Sequence, residues 1–210
     1  MAHFRESTKV ALPTPNGAEV IPSGSIYSIC WGAPSEAVRF NLSYSLDNGT
    51  TWKLITNKAT DTSFDWQVPK SNFNWKTCRV KVVGFDARGR KLGADKSDKV
   101  FTIEVLRLTT PKDGQVLISD TDFNITWETN DTKSSIADVN VYYSKDGGVS
   151  WLPIDVGPPH QSNRGYFVWK VPLAKAPKTR CKIKVVLKKS NWGAVGSGVT
   201  HGYFTIRPPA

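Results

Sequence analysis

What is scarce in this sequence excludes a good deal. Its 210 residues hold three cysteines, three histidines and one methionine. Three cysteines cannot all pair within one chain, so a disulfide-framed scaffold is excluded. The histidines, His3, His160 and His201, stand far apart, and no H-E-x-x-H, C-x-x-C, G-x-S-x-G or phosphate-cradling loop occurs. His160 is expected in a loop and His201 at the opening of the last strand. No apolar run approaches the ~20 residues that a spanning helix needs, so no membrane insertion is expected. The N-terminal MAHFRESTKVALP has no apolar stretch of the kind a secretory signal carries. Either the protein stays inside, or such a signal preceded this chain.

Acidic residues are missing from one region. The net charge is +10, with 28 Lys and Arg against 18 Asp and Glu. Residues 1–105 hold 14 basic and 10 acidic side chains, and residues 106–210 hold 14 and 8. The last acid is Asp155, and the remaining residues hold ten Lys and Arg. Local neutralisation is therefore not expected there, and an anionic partner or counterions must meet that face.

The chain repeats itself. TPNGAEVIPSG (14–24) matches TPKDGQVLISD (110–120), YSICW matches FNITW, and FNLSYSLDNGTTW matches VNVYYSKDGGVSW. Further on, FDWQVP matches FVWKVP, TCRVKVV matches RCKIKVV, and FTIEV matches FTIRP, at offsets of 96 to 103 residues. Six of the eight tryptophans form three pairs: Trp31 with Trp127, Trp52 with Trp151, and Trp66 with Trp169. Two units of domain size follow, residues 1–105 and 106–210. FTIEV runs into LRLTTP with no Gly/Ser tether, which predicts a stiff junction.

Each unit reads as strands. Val38-Phe40-Leu42-Tyr44 and Val139-Val141-Tyr143 alternate with period two, and Gly-, Asn- and Pro-rich punctuation recurs at 8–12-residue spacing. The pattern predicts two tandem antiparallel β-sandwiches. In IYSICWG the inward set is Tyr27, Ile29 and Trp31, which leaves Cys30 on the other face. Cys78 and Cys181 join the inward sets of their strands, so all three cysteines are expected as free thiols and two as core filler.

One short pattern occurs in both units: Ser45, Asp47, Gly49 and Trp52, then Ser144, Asp146, Gly148 and Trp151. Asn48-Gly49 and Gly147-Gly148 supply the positive φ of a primed turn, and Asp47 and Asp146 can accept backbone N–H bonds across it. The two tryptophans are expected to plug the end of the core, which makes this a structural turn. Ser-x-Asp-x-Gly-x-Thr/Ser-Trp resembles the Asp box of sialidase-like propellers and of some β-sandwich modules. A propeller needs a box in each of at least four blades, and two boxes 99 residues apart do not fit. Over nearly all of both halves the chain is similar instead to fibronectin-III/immunoglobulin-like modules repeated in microbial secreted and surface proteins. That resemblance implies a non-catalytic spacer or binding unit, in the extracellular space or cell envelope.

The candidate binding residues are basic and aromatic. Arg79, Lys81, Lys182 and Lys184 point outward from their strands, and the following hairpins carry Arg88, Arg90 and Lys91 in one unit and Lys188 and Lys189 in the other. Together they suggest a strip for phosphates, sulfates or acidic polysaccharide, weighed against a solvated face whose lysines keep edges from pairing. Trp75 and Trp192 lie outside the repeat, so the fold does not require them. Trp192, near Lys188 and Lys189, could stack on a sugar or base, or pack on its own loop. The carboxylates of SDTD (119–122) and TNDT (129–132) lack EF-hand spacing and read as capped turns. Sequons at Asn41, Asn48, Asn124 and Asn130 are read as chance.

The leading expectation is a structural or adhesive repeat without catalytic residues, metal or cofactor. The alternatives are a module binding polyanion or carbohydrate through the second unit's basic face, and accessory domains of a larger secreted enzyme. Expected partners are an acidic polysaccharide or other polyanion, further copies of the chain, or surface proteins.

Overall fold

The computed structural model describes residues 7–155 and 162–209, so His3 and His160 lie outside the described residues. Those residues form eighteen strands and no helix. By contacts the chain divides into two units. The first holds residues up to Pro69 together with Trp75–Glu104, and the second holds Lys70–Asn74 together with the chain from Val105. The short segment 70–74, which the repeat alone leaves in the first half, joins the second because Asn74 accepts bonds from the Val105 and Leu106 amides at 2.8 and 3.2 Å.

The first unit runs β1 (Ala11–Thr14), β2 (Val20–Pro22), β3 (Ile26–Gly32), β4 (Arg39–Ser45), β5 (Lys53–Ala59), β6 (Ser63–Gln67), β7 (Trp75–Phe85), β8 (Lys91–Lys96) and β9 (Phe101–Glu104). The second repeats it as β10 (Leu106–Thr110), β11 (Val116–Ile118), β12 (Asp122–Thr129), β13 (Asp138–Ser144), β14 (Leu152–Asp155), β15 (Tyr166–Lys170), β16 (Lys178–Lys188), β17 (Ala194–Val199) and β18 (Phe204–Arg207). Each unit faces a three-stranded sheet, β1-β3-β6 or β10-β12-β15, against a larger one, β2-β9-β7-β4-β5 or β11-β18-β16-β13-β14, with β8 and β17 also paired to β7 and β16. These are the two tandem sandwiches of the immunoglobulin and fibronectin-III type. One pair in each departs from antiparallel, since β2 lies parallel to β9 and β11 to β18.

Alternation explains the two layers. In β7 and β16 every second side chain is buried, Cys78, Val80 and Val82 in one and Cys181, Ile183, Val185 and Leu187 in the other. Hydrophobic burial of that inward set is the main stabilising term. Tryptophans fill the space between the sheets. Trp66 lies 5.2 Å from Tyr44 and 6.5 Å from Phe101, centroid to centroid. Trp169 repeats this with Tyr143 at 5.1 Å and Phe204 at 6.3 Å. Cys30 is free and half-buried on the outer face of β3, while Cys78 and Cys181 are free and buried. His201 sits in the bend before β18, outside the strand it was expected to open.

The outward residues of β7 and β16 meet the turn between β4 and β5 or between β13 and β14. That end of the larger sheet is where the repeated Ser-x-Asp pattern meets Arg79, Lys81, Lys182 and Lys184, whereas the hairpins that carry Arg88, Arg90 and Lys91, or Lys188, Lys189 and Trp192, lie at its other end.

Candidate functional site

The turn is built by its own side chains. Ser45 Oγ donates to Asp47 Oδ1 at 2.7 Å and accepts from the Gly49 amide at 2.8 Å. Asp47 then accepts from the Thr51 amide at 2.8 Å and the Thr51 hydroxyl at 2.6 Å. Asn48 and Gly49 have φ of 59° and 92°, and the Thr50 amide donates to the Asp47 carbonyl at 3.2 Å. This is a primed turn, set within a seven-residue connection rather than forming a two-residue hairpin. Ser144, Asp146 and Gly148 repeat it: Gly148 N donates to Ser144 Oγ at 2.8 Å, and the Val149 and Ser150 amides reach Asp146 at 3.0 Å. The Ser150 hydroxyl donates to Asp146 as well.

These bonds stabilise the ionised carboxylates. The Thr51 hydroxyl first, then the Thr51 amide and Ser45, bring Asp47 down to about 2. The Ser150 hydroxyl, the Ser150 amide and Ser144 hold Asp146 well below the usual carboxylate range. A carboxylate engaged in this way does not serve as a proton acceptor near neutral pH.

The tryptophans do not plug the core. Neither Trp52 nor Trp151 belongs to the buried clusters or packs against them. Each folds back over its own turn, where a Cβ placed on Gly49 or Gly148 would stand 3.2 or 3.3 Å from the ring. The reason lies in the pleat. Ser43, paired with Lys81, and Tyr142, paired with Lys184, point outward, and the ring emerging from the turn settles on that same side. Lys81 Nζ lies 4.3 Å from the Trp52 ring centroid, and Lys184 Nζ 4.5 Å from that of Trp151. Leu46 is the connection residue that packs on the core.

The predicted basic residues divide into two settings. Arg88, Arg90 and Lys91 belong to the β7–β8 hairpin of the first unit. There the Arg88 and Arg90 amides donate to Asp86 Oδ1 at 3.0 and 2.8 Å, and Arg90 Nε reaches Oδ2 at 3.1 Å. The Arg90 amide bond is the leading cause of the lowered pKa of Asp86. These cations thus have an acid in their own turn. Arg79 is likewise engaged, donating through Nε to Asn48 Oδ1 at 2.7 Å and also to the Ser97 carbonyl.

The second unit differs. Lys182 and Lys184 face outward on β16, Lys188 ends that strand, and Lys189 opens the turn to β17. Trp192, 44% exposed with φ of 65°, closes this turn through its amide on the Lys189 carbonyl at 2.8 Å. Lys188 Nζ caps the Trp192 carbonyl at 3.0 Å. Local neutralisation does occur in the acid-free region, where Lys170 Nζ reaches Asp120 Oδ1 at 3.3 Å. Among the described residues, Arg180, Lys182, Lys184, Lys188 and Lys189 make no ion pair.

Three members of this face escaped sequence reasoning: Tyr142, Tyr203 and Arg180. Lys184 Nζ stands 4.7 Å from the Tyr142 centroid, so it lies between that ring and Trp151. Lys182 Nζ is 4.9 Å, and the Arg180 guanidinium carbon 5.4 Å, from the Tyr203 centroid. The Arg180 side chain foremost, and then Lys182, draw the Tyr203 phenol below its ordinary value. The signal was present in the repeat, where Ser43, Val100 and Thr77 occupy the corresponding positions.

No family model matches the chain, and no curated protein matches it in sequence. Among solved structures it is similar to the fibronectin(III)-like modules of Clostridium thermocellum CbhA, at 16% identity and a TM-score of 0.32, covering 95% of this chain and 93% of that one. It is also similar to the FN1–FN3 domains of chicken CNTN1, at 12% identity and a TM-score of 0.33, covering 95% of this chain and 66% of that one. Titin domains A168–A170 align at 16% identity with a TM-score of 0.31, over 92% of this chain and 64% of that one. The assignment of fold rests on the strand order above, and these likenesses add nothing on activity.

Proposed function

We propose that the chain is a non-catalytic tandem β-sandwich module, a structural or adhesive repeat of the extracellular space or cell envelope. The observation that carries this reading is where the polar chemistry goes. The most elaborate side-chain constellation in each unit, Ser45-Asp47-Thr51 or Ser144-Asp146-Ser150, is directed at the amides and hydroxyls of its own turn. Groups used to close a turn serve stability rather than turnover. The duplication agrees with this role, since a repeat that stacks sandwiches gains length by copying a unit.

The test is replacement of Asp47 or Asp146 by Ala in the intact chain. Each change should lower the melting temperature of its own unit and leave the other unit's transition in place. Variants that melt like the parent but lose a binding or enzymatic activity would show the turn to be a site, and this reading would fail.

A further inference from the structure

The two units share one fold, so what one outer face has and the other lacks is not required by that fold. Tyr142 stands where the first unit has Ser43, Tyr203 where it has Val100, and Arg180 where it has Thr77. All three additions converge on one patch. Lys184 is held between Tyr142 and Trp151, and Lys182 and Arg180 both lie over Tyr203. In the first unit the equivalent positions leave one such contact, Lys81 on Trp52. Its Arg79, the counterpart of Lys182, is used to clamp Asn48.

Arg180, Lys182 and Lys184 alternate along one face of β16, so their Cα atoms repeat at roughly 6.6–6.8 Å. A lysine resting on an aromatic ring is already restricted in its rotamers, and it loses less entropy when an anion arrives. No carboxylate among the described residues pairs with these three cations. The face is therefore an ordered row of cations that no carboxylate among the described residues ion-pairs, made by residues the fold does not need.

We propose that the outer face of β16 in the second unit binds a linear acidic polysaccharide, whose carboxylate or sulfate groups meet Arg180, Lys182 and Lys184 in series. Charge complementarity selects a polyanion. The ring arrangement selects the saccharide over nucleic acid. Single-strand binding draws much of its affinity from bases stacked on open aromatic faces, and here cations lie over the rings of Tyr142, Trp151 and Tyr203. Reading of a duplex groove needs a helix or a ribbon that enters it, whereas this row lies on the surface of a sheet. A sugar chain brings hydroxyls as well as acids. Tyr142 OH accepts from Asn140 Nδ2 at 3.3 Å, which leaves its own proton to donate to such a hydroxyl. This site goes beyond the structural role proposed above and stands or falls separately from it.

The experiment titrates the intact chain with chondroitin sulfate oligosaccharides and, separately, with oligo(dT) of matched charge, from low to physiological salt. Chondroitin sulfate should bind at least tenfold more tightly than oligo(dT), and log affinity should fall linearly with log salt. Lys182→Gln and Lys184→Gln should each lower the slope by about one. The double variant Tyr142→Ser/Tyr203→Val installs the first unit's residues with charge unchanged, and should weaken binding roughly three- to tenfold at an unaltered slope, because cations no longer restrained by a ring lose more entropy when they meet an anion. Arg39→Gln and Lys53→Gln should change neither affinity nor slope, and calorimetry confirms that every variant is folded. Equal or tighter binding of oligo(dT) would make this a nucleic-acid surface and overturn the proposal. So would failure of the saccharide to bind at low salt, indifference to the Lys or Tyr variants, or an equal loss in the two controls.

Discussion

Replacing Trp52 by Ala separates two accounts of the repeated turn. If the ring plugged the core, its removal would leave a cavity and cost ~3–5 kcal/mol, the range for large buried aromatics. The structure places it outside, over Gly49 and under Lys81, with one side partly exposed. No enclosed cavity then forms, and the loss reduces to two parts. Burial of part of the indole surface accounts for about 1–2 kcal/mol, at ~25 cal/mol per Å² on the order of 50–80 Å². The lysine contact adds about 0.5–1 kcal/mol. A total of about 1.5–3 kcal/mol is expected, against ~3–5 for Trp66→Ala, whose side chain is only 4% exposed. Calorimetry on the intact chain reads this directly, because each kcal/mol moves a domain of this size by ~4–8 °C. The same ordering should hold for Trp151→Ala and Trp169→Ala. Should Trp52→Ala cost as much as Trp66→Ala, the outer-face placement is wrong. Should it cost less than about 0.5 kcal/mol, the ring has no part in holding the turn.

Acid titration follows from the turn carboxylates. The folded-state pKa of Asp47, about 2, lies below the unfolded value of ~3.9, so its contribution is fully present above pH ~4 and is lost as pH falls from there through about 2. Asp146 is shifted the same way, and the Asp47→Ala/Asp146→Ala chain should show a flatter decline of melting temperature between pH 4 and 2, whereas an unchanged acid slope would refute the shifts. Iodoacetamide on the native protein should label Cys30 alone, since Cys78 and Cys181 are buried, and labelling should be slow at neutral pH because desolvation and then Asp65 raise the Cys30 thiol; more than one adduct on the folded chain would contradict the burial. Asn163→Ala should destabilise the second unit by about 1–3 kcal/mol in urea, because it orphans Trp127 Nε1, bonded at 2.8 Å, and a neutral outcome would mean that water replaces the amide.

Much of the fold was legible because it depends on alternation and on copying. A period-two pattern assigns residues to faces without knowledge of neighbours, which is how Cys30 falls on one face and Cys78 on the other. The repeat then places each strand twice. What stayed illegible depends on paths that alternation does not describe. The indoles of Trp52 and Trp151 follow a turn, and the direction a side chain takes on leaving a turn is set by its hydrogen bonds and positive-φ residues rather than by parity. The capture of segment 70–74 by the second unit rests on Asn74, which bonds two amides beyond Glu104, and on Lys70, Ser71 and Asn72, which meet Asp131, Thr132 and Lys133, contacts that sequence spacing does not announce. The candidate site was legible in half. Outward lysines on β16 could be read from parity, but their aromatic partners come from β13, the turn and the residue before β18, and only register brings those together.

A duplicated chain carries its own control. Positions that keep their character in both units, such as Trp66 with Trp169 and Cys78 with Cys181, occupy the same place in each core. Ser45 and Ser144, with Asp47 and Asp146, keep the same turn, so they too follow from the fold. Where the copies diverge, the fold is indifferent and another cause is needed. On the outer face next to the turn, the divergence runs one way: serine, valine and threonine in the first unit become tyrosine, tyrosine and arginine in the second. Random drift on a solvated surface has no reason to assemble three separate changes, from three different strands and loops, around two lysines. Large aromatic side chains beside cations also make a surface more adhesive, which is a liability unless something binds there. The geometry of those changes, each placing a ring or a guanidinium in contact with a side chain on β16 or just before β18, is what supports the proposal that the basic face of the second unit is a binding surface rather than a solubility device.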